Sequence, residues 1–291
     1  MKTDKAKISK RLSVALLVVF LIGGALFCFL PPKGYIPVLM YHFVVPEHQV
    51  GSTSLDVSVE HFNSQMWFLR TFGFRPITID EFYQIKTGKV KPKGKEVLVT
   101  FDDGNETYLQ YALPVLERYQ IPSINFLVWN FLVQKENGSM SLEDAKRFLN
   151  HPLITFGSHS LTHPKLTEIP PEQAKTEVVE AKKNLEQALG KPMNYFAYPL
   201  GFFNDQIIEF VDEADYQLAF TTSRKRLERR KESLFTVVRI KVHPRYNLFI
   251  FWAYLTGLVD FGNRVDTLFH QLTVNKQSVK LNVYEPAPKA M

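Results

Sequence analysis

Short apolar runs alternate with segments of helical periodicity along most of the chain, and this alternation limits the possible folds more than any other feature. Continuous apolar runs are typical of strands that are covered on both faces of a parallel sheet. Strands that alternate with amphipathic helices favour a parallel α/β barrel or a doubly wound sheet. The predicted strands are 38–45, 96–101, 123–129, 153–157, 193–199, 217–222 and 234–242, and the predicted helices are 58–73, 105–120, 141–150, 170–190 and 204–216.

An uninterrupted apolar segment near the N-terminus predicts a membrane anchor. Residues 12–30 contain no charge, and a helix of that length spans about 29 Å, close to the thickness of a bilayer core. Lys and Arg cluster before it, so the positive-inside rule predicts a single-pass protein whose N-terminus is cytoplasmic and whose remainder is exported. Cleavage as a signal peptide, followed by secretion, is the alternative. The segment is long for a signal peptide, however, and it ends in Phe27-Cys28-Phe29-Leu30 rather than in small residues.

Composition restricts the partners of the exported part. The net charge of +6 comes with no nucleic-acid-binding motif, so no nucleic acid is expected as a partner. Cys28, the only cysteine, lies in the predicted anchor, which leaves the exported part without disulfides or cysteine metal ligands. The predicted parts are a cytoplasmic basic segment 1–11, an anchor 12–30, a linker 31–36, a main domain 37–246, and a helical or irregular extension 247–291.

Chemically capable residues follow three predicted strands directly. Asp102 and Asp103 follow one strand, His159 and His163 follow a second, and a Tyr-Pro-Leu-Gly segment that begins at Tyr198 follows a third. Because ligands bind at the C-terminal ends of parallel strands, we expect these stretches to converge. Two histidines and one carboxylate supply three nitrogen and oxygen ligands for zinc or another divalent ion, with one position left for water. The sequence therefore predicts a catalytic metal site.

The adjacent carboxylates of Asp102 and Asp103 should repel each other unless one of them is neutralised. If a metal ion holds Asp103, then Asp102 stays free to take a proton from a water molecule that attacks a carbonyl. Two other interpretations stay open from the residues alone. One is a plain Asp-Asp-Gly turn. The other is a pair of glycosidase carboxylates, which would have to face each other across a sugar.

Three ordered motifs carry a family resemblance: TFDDG (100–104), HSLTH (159–163) and FAYPLG (196–201). They resemble the first three motifs of the NodB-homology polysaccharide deacetylases, carbohydrate esterase family four. The opening VLMYH is similar to the branch that includes poly-N-acetylglucosamine deacetylases and membrane-anchored relatives. The resemblance covers residues 36 to 245 and implies a distorted (β/α)7-type barrel. It also implies a divalent metal, usually Zn²⁺ and sometimes Co²⁺ or Ni²⁺, and removal of N-acetyl groups from a cell-surface or secreted amino-sugar polymer.

Carried over by position, the resemblance assigns a catalytic base, Asp102, and a general acid, His243 of the KVHPR segment. It also assigns a metal site and a substrate-binding segment, in which the backbone N–H of Leu200 would hold the oxyanion. The implied metal ligands are Asp103, His159 and His163, and the implied substrate-binding residues are Tyr198, Pro199 and Leu200.

Departures from the family pattern keep other functions open. Ala197 stands where many members have an arginine that tethers the base carboxylate, and Arg239 on a later strand is a candidate replacement. The aspartate of the fourth motif has no match. These departures motivate, as an alternative, a catalytically impaired relative that binds polysaccharide. A second alternative is an esterase or peptidoglycan amidase that uses the same metal site.

Overall fold

A computed structural model describes three stretches of the chain, residues 34–51, 53–222 and 233–258. The predicted cytoplasmic segment and anchor lie outside these residues, as does the extension beyond residue 258. Within the described stretches, no helix has both the length and the apolar character needed to cross a bilayer. The chain divides into two compact units, and the larger one, residues 33–251, contains the barrel described below.

Short parallel strands form the framework of this larger unit. The strands are β1 (Val38–Tyr41), β2 (Phe43–Val45), β3 (Asp56–Ser58), β4 (Arg75–Pro76), β5 (Glu96–Phe101), β6 (Ser123–Leu127), β7 (Ile154–Ser158), β8 (Tyr195–Ala197), β9 (Leu218–Thr221), β10 (Val237–Val238) and β11 (Ile240–Lys241).

Eight of these strands curl into a nearly closed parallel barrel, in the order β10-β9-β8-β7-β6-β5-β1-β11. β10 pairs with β9 and β11 pairs with β1, and only Arg239 separates β10 from β11. The run 237–241 therefore closes the ring. Counted as one strand, it gives the sevenfold barrel that the resemblance implies. β4 pairs with the outer part of β5, and β2 pairs with β3 in a separate two-stranded sheet.

Helices connect most of the barrel strands, and local sequence signals set their ends. Ser58 caps the first helix by accepting a hydrogen bond from the His61 N–H, and Ser141 forms a capping box with Asp144. Gly190 ends the longest helix in the left-handed conformation. The helices are α1 (Val59–Thr71), α2 (Ile79–Lys86), α3 (Leu113–Tyr119), α4 (Trp129–Gln134), α5 (Leu142–Phe148), α6 (Pro171–Leu189), α7 (Asp205–Glu213) and α8 (Leu248–Leu255).

Two predicted elements are interrupted in the structure. The predicted strand 38–45 breaks at His42, where the chain leaves the barrel after β1 and joins the small sheet as β2. The predicted helix 105–120 begins as a wide π turn over residues 108–112, and regular α3 follows with Pro114 in its first turn. Proline cannot donate the hydrogen bond that a continuous helix requires at that point.

Apolar clusters hold the barrel and its helices together, and two of them bear on the position of the site. One takes side chains from six of the barrel strands, including Leu98, Phe126 and Phe220, and is completed by Phe82 of α2. The other lies between β8, β9 and the helices α6 and α7, around Phe196 and Tyr198 among others. A filled barrel interior leaves the loops after the strands as the place for a ligand.

Candidate active site

The loops that follow β5, β7 and β8 carry the three motifs and share an unusual backbone conformation. Asp103, Ser160, His163 and Leu200 have φ values of 70°, 69°, 64° and 55°. The left-handed region costs a non-glycine residue of the order of 1–3 kcal/mol, and such residues cluster at functional sites. The four residues stand in the three loops that the sequence predicts to converge.

The three predicted metal ligands lie together. The Nε2 atom of His163 is 3.5 Å from Oδ1 of Asp103, and the Nε2 atom of His159 is 3.7 Å from the same oxygen. All three ligand atoms lie within 4.8 Å of one another. Atoms bound at about 2.0–2.1 Å to a tetrahedral zinc ion stand roughly 3.3–3.4 Å apart. The two distances to Asp103 are close to this separation, and the cluster as a whole would contract to surround one ion.

The two histidines of the cluster have lowered pKa values, which favour the neutral form of the ring. Nδ1 of His159 lies 2.7 Å from the carbonyl oxygen of Ala197, to which it can donate, so Nε2 is left with its lone pair toward Asp103. Burial lowers the pKa of His159 to about 3, and burial also lowers the pKa of His163. Both rings are therefore neutral at pH 7, which is the form that binds a metal.

The surroundings of Asp103 fit a cation. Its Oδ1 atom is buried and has no hydrogen-bond partner among the described residues. Burial, together with the charge of Asp102, raises the pKa of Asp103 to about 7. An unsatisfied buried carboxylate oxygen between two neutral imidazoles is stabilised by a divalent ion, whose charge keeps the carboxylate ionised.

The pKa of Asp102 is shifted in the direction opposite to that of Asp103. The Asp102 side chain is only 2% exposed, and its Oδ1 and Oδ2 atoms accept hydrogen bonds of 2.6 and 2.7 Å from Nη1 and Nη2 of Arg239. Burial alone would raise the pKa of Asp102, but the charge and hydrogen bonds of Arg239, together with the nearby His159 and His42, hold the pKa well below its usual range. The structure thus places Arg239, the candidate replacement, where it tethers the predicted base.

Arg239 reaches Asp102 from inside the barrel. The guanidinium carbon lies 5.5 Å from the ring centre of Phe126 and 6.0 Å from that of Phe220. Flanking aromatic faces favour a cation and restrict its orientation. Arg239 lies in the run 237–241, which closes the barrel. Its hydrogen bonds to Asp102 therefore link the predicted base to the last strand of the ring.

His42 belongs to the site, although the sequence allows a buried structural histidine there equally well. Its Nε2 atom lies 3.9 Å from Oδ2 of Asp102. Burial lowers the pKa of His42 to about 4, against the opposing effect of the Asp102 charge. The sequence signal for this residue is its position directly after β1, the same strand-end position that identifies Asp102.

His243, the predicted general acid, lies at the same rim. The register of β1 and β11 pairs Met40 with Lys241, so His243 and His42 each stand two residues beyond that pair on neighbouring strands. In the described part of the chain, the contacts of His243 are local: its Nδ1 accepts from the Arg245 N–H at 3.2 Å, and its ring stands 5.9 Å from that of Tyr246.

The predicted substrate-binding segment separates into a buried part and an exposed part. Tyr198 is 0% exposed, packs in the outer core, and donates its hydroxyl hydrogen bond to the Phe235 carbonyl at 3.0 Å. Its ring therefore has no surface from which to stack on a sugar, because the aromatic side chain is used for packing. Pro199 is also buried, whereas the Leu200 side chain is 53% exposed.

Comparison with known proteins connects this geometry to a family. Residues 89–219 match the family described as "Polysaccharide deacetylase". YxkH of Bacillus subtilis, a protein assigned by name to the polysaccharide deacetylases, is 27% identical over 223 residues, which are 77% of this chain and 77% of that protein.

Two further comparisons bear on the activity and the fold. The poly-β-1,6-N-acetyl-D-glucosamine N-deacetylase of Staphylococcus epidermidis is 27% identical over 182 residues, covering 58% of this chain and 62% of that protein. The chain thus spans less than two thirds of the staphylococcal protein. The solved structure of IcaB from Ammonifex degensii superposes with a TM-score of 0.66 at 28% identity, over 78% of this chain and 98% of that one.

Proposed function

We propose that the chain is a member of the polysaccharide deacetylase family, whose model matches residues 89–219, and that it is a metal-dependent enzyme that removes N-acetyl groups from an amino-sugar polysaccharide. Such an enzyme hydrolyses a carbon–nitrogen bond that is not a peptide bond. The observation that supports the proposal best lies at the barrel mouth, the end of the barrel formed by the loops after β5, β7 and β8. There a three-ligand cluster stands beside a carboxylate tethered by arginine.

Asp103, His159 and His163 would hold the metal. Nitrogen and oxygen donors of this kind suit Zn²⁺, which we propose, with Co²⁺ and Ni²⁺ as alternatives. Bound there, the ion would polarise the acetyl carbonyl and lower the pKa of the attacking water to about 7. The protein supplies neutral imidazoles and a carboxylate whose Oδ1 atom has no hydrogen-bond partner among the described residues.

Asp102 would act as the base. Arg239 keeps its carboxylate ionised and orients both oxygens, so one of them can accept the proton of the attacking water as the water oxygen bonds to the acetyl carbon. The adjacent aspartates therefore take separate roles because their surroundings move their pKa values in opposite directions.

The departing sugar nitrogen needs a proton when the carbon–nitrogen bond breaks. We assign this proton to His42, because its Nε2 atom lies 3.9 Å from the carboxylate that receives the proton of the water. Burial lowers the pKa of His42 to about 4, so the ring is neutral at pH 7; it would take the proton that Asp102 received from the water and pass it to the departing nitrogen. His243, two residues beyond the neighbouring strand, is the alternative acid.

The substrate would lie over the exposed side of the mouth, near Leu200. The backbone N–H of Leu200 would stabilise the oxyanion, since its left-handed backbone stands in the loop directly after β8. The polymer itself is proposed from the chemistry and from the staphylococcal relative, which makes β-1,6-linked N-acetylglucosamine oligomers the first substrate to test.

We further propose that the catalytic domain acts outside the cytoplasm, anchored in the cell membrane by residues 12–30, or secreted if that segment is cleaved. The uncharged apolar segment and the cationic residues before it support this orientation. Protease digestion of intact cells, followed by detection of the C-terminus in membrane and culture fractions, tests it. Protection of the C-terminus inside intact cells would contradict the proposed orientation.

Acetate release is the test of the activity. The full chain, purified in detergent and loaded with Zn²⁺, is incubated with β-1,6-linked and β-1,4-linked N-acetylglucosamine oligomers, with an O-acetylated sugar, and with peptidoglycan fragments. We expect acetate and free amine from an N-acetylated oligomer, and loss of both products after chelation of the metal.

Two results would contradict the proposal. Acetate from the ester alone, or cleavage of peptidoglycan amides, would indicate the esterase or amidase alternative. A zinc-loaded protein that retains the oligomers but releases no acetate from any of them would indicate a polysaccharide-binding relative.

A further inference from the structure

The loop that carries His163 is held by a buried carboxylate of a neighbouring helix. Glu177 of α6 is 8% exposed, and its Oε2 atom accepts hydrogen bonds from the N–H groups of Leu161 and Thr162 at 3.0 and 2.8 Å. Its Oε1 atom accepts from the Thr162 hydroxyl at 2.5 Å. One side chain therefore holds two consecutive peptide groups directly before the ligand.

This loop needs an anchor because its backbone is strained at two points. Ser160 and His163 both have the left-handed conformation, which side chains other than glycine adopt at a cost. The N–H groups of Trp129 and Asn130 donate to the carbonyls of Ser160 and Leu161. Glu177 supplies a second attachment, so both the segment after β6 and helix α6 hold the loop.

We propose that Glu177 is a positioning residue for the metal: it sets the affinity of the site through His163 without touching the ion. The inference rests on the metal site of the proposed function. Ionised carboxylates make the strongest hydrogen bonds to backbone N–H groups, and partners that orient a ligand typically change metal affinity by 10–100-fold when they are removed.

Zinc affinity, measured on the full chain by competition with a chromophoric chelator, tests the proposal. We expect Glu177→Ala to raise the zinc dissociation constant about 10–100-fold. Glu180→Ala is the matched control, because Glu180 lies on the same helix and pairs with Lys183 rather than with the loop, so it should leave the constant unchanged.

A double-mutant cycle separates positioning from a general effect on folding. If Glu177 acts through His163, Glu177→Ala should have no further effect on zinc binding in the His163→Ala protein. An equal weakening in that background, or parental affinity in Glu177→Ala, would overturn the inference.

Glu177→Gln keeps the test decisive if the alanine variant does not fold. The amide has the same shape but only one acceptor oxygen and no charge, so we expect weaker zinc binding when His163 is present and no effect when it is absent. Unchanged affinity in Glu177→Gln would contradict the proposal. Acetate release is a separate readout: coupled zinc binding without acetate would reject the proposed function and leave this inference standing.

Discussion

Strand β5 has a buried carboxylate at each end, and the two ends differ in how completely the protein satisfies it. At the start of the strand, Glu96 accepts a hydrogen bond of 2.7 Å from Arg75 and further bonds from the N–H groups of Lys93 and Gly94. The protein itself thus uses the acceptor capacity of this carboxylate. This end of the barrel is built for stability, as expected for the N-terminal face of a parallel barrel.

At the other end of the strand, a buried carboxylate oxygen accepts no hydrogen bond from the described residues. Asp102 is paired with Arg239, but its neighbours are His42 and Asp103, and the Oδ1 atom of Asp103 has no hydrogen-bond partner in the described part of the chain. The difference teaches that an arginine–carboxylate pair by itself does not identify a site. The unsatisfied carboxylate oxygen beside the pair does.

Replacing the Asp102 carboxylate should have the largest effect on activity. We expect Asp102→Asn to lower acetate release by about 10²–10⁴-fold, because the amide cannot accept the proton of the attacking water. Zinc should still bind, since Asp102 is not among the proposed ligands. Acetate assays and zinc titrations on the same preparation check both statements, and full activity in the asparagine variant would remove Asp102 as the base.

Comparison of two histidine variants identifies the acid. His42→Ala should lower acetate release about 10²-fold, because the leaving nitrogen loses its proton donor. His243→Ala should stay within a few-fold of the parent, because the described contacts of His243 are with its own turn. The reverse ranking of the two variants would assign the acid to His243, as the family resemblance implies.

Replacing the two arginines separates the two ends of the strand. Arg239→Met leaves Asp102 buried without its cation, so we expect a loss of about 3–5 kcal/mol in the free energy of unfolding. Arg75→Met should cost less, about 1–2 kcal/mol, because Glu96 keeps its bonds to backbone N–H groups. Urea denaturation of both variants measures these losses, and equal losses would mean that the ends do not differ.

The same arginine variant predicts a change in pH dependence. Arg239 lowers the pKa of Asp102, so without it burial raises that pKa and the base becomes protonated at a higher pH. Acetate release by Arg239→Met should therefore fall more steeply than that of the parent as the pH decreases from 8 to 6. An unchanged acid limb of the pH profile would show that Arg239 does not control the base.

Zinc affinity itself should depend on pH in the range set by Asp103. In the metal-free protein the pKa of Asp103 is raised to about 7, so below this pH zinc must displace one proton. The association constant should fall up to about tenfold for each pH unit between 7 and 4, whereas above pH 7 it should level off. Zinc titrations in buffers of increasing pH test this, and a flat profile would contradict the raised pKa.

Much of the framework and the ligand set could be predicted from the sequence because both depend on local patterns. The strand 96–101 has the predicted limits, and α6 begins at Pro171 and ends before Gly190, as proline and glycine signals indicate. The i, i+4 spacing of His159 and His163 also brings the two imidazoles together. They meet in a strained loop, however, rather than on a helical turn.

The residues that local patterns could not assign depend on how distant strands meet. Arg239 reaches Asp102 only because the run 237–241 closes the barrel beside β1. Glu177 does have a sequence signal: it occupies the core-facing side of α6, between Ala174 and Ala181, where a carboxylate needs buried partners. For Tyr198 the motif predicts substrate binding, whereas in the structure its aromatic side chain packs in the core.

X-ray absorption at the zinc edge tests the central claim most directly, because it reports the atoms bound to the metal. For the zinc-loaded full chain we predict two imidazole nitrogens at about 2.0–2.1 Å, a carboxylate oxygen at about 2.0–2.2 Å and a water ligand. The spectrum should be the same in Asp102→Asn and should lose its carboxylate in Asp103→Asn. A spectrum with fewer than two imidazoles, or one that changes in Asp102→Asn, would contradict the division of roles between the two aspartates.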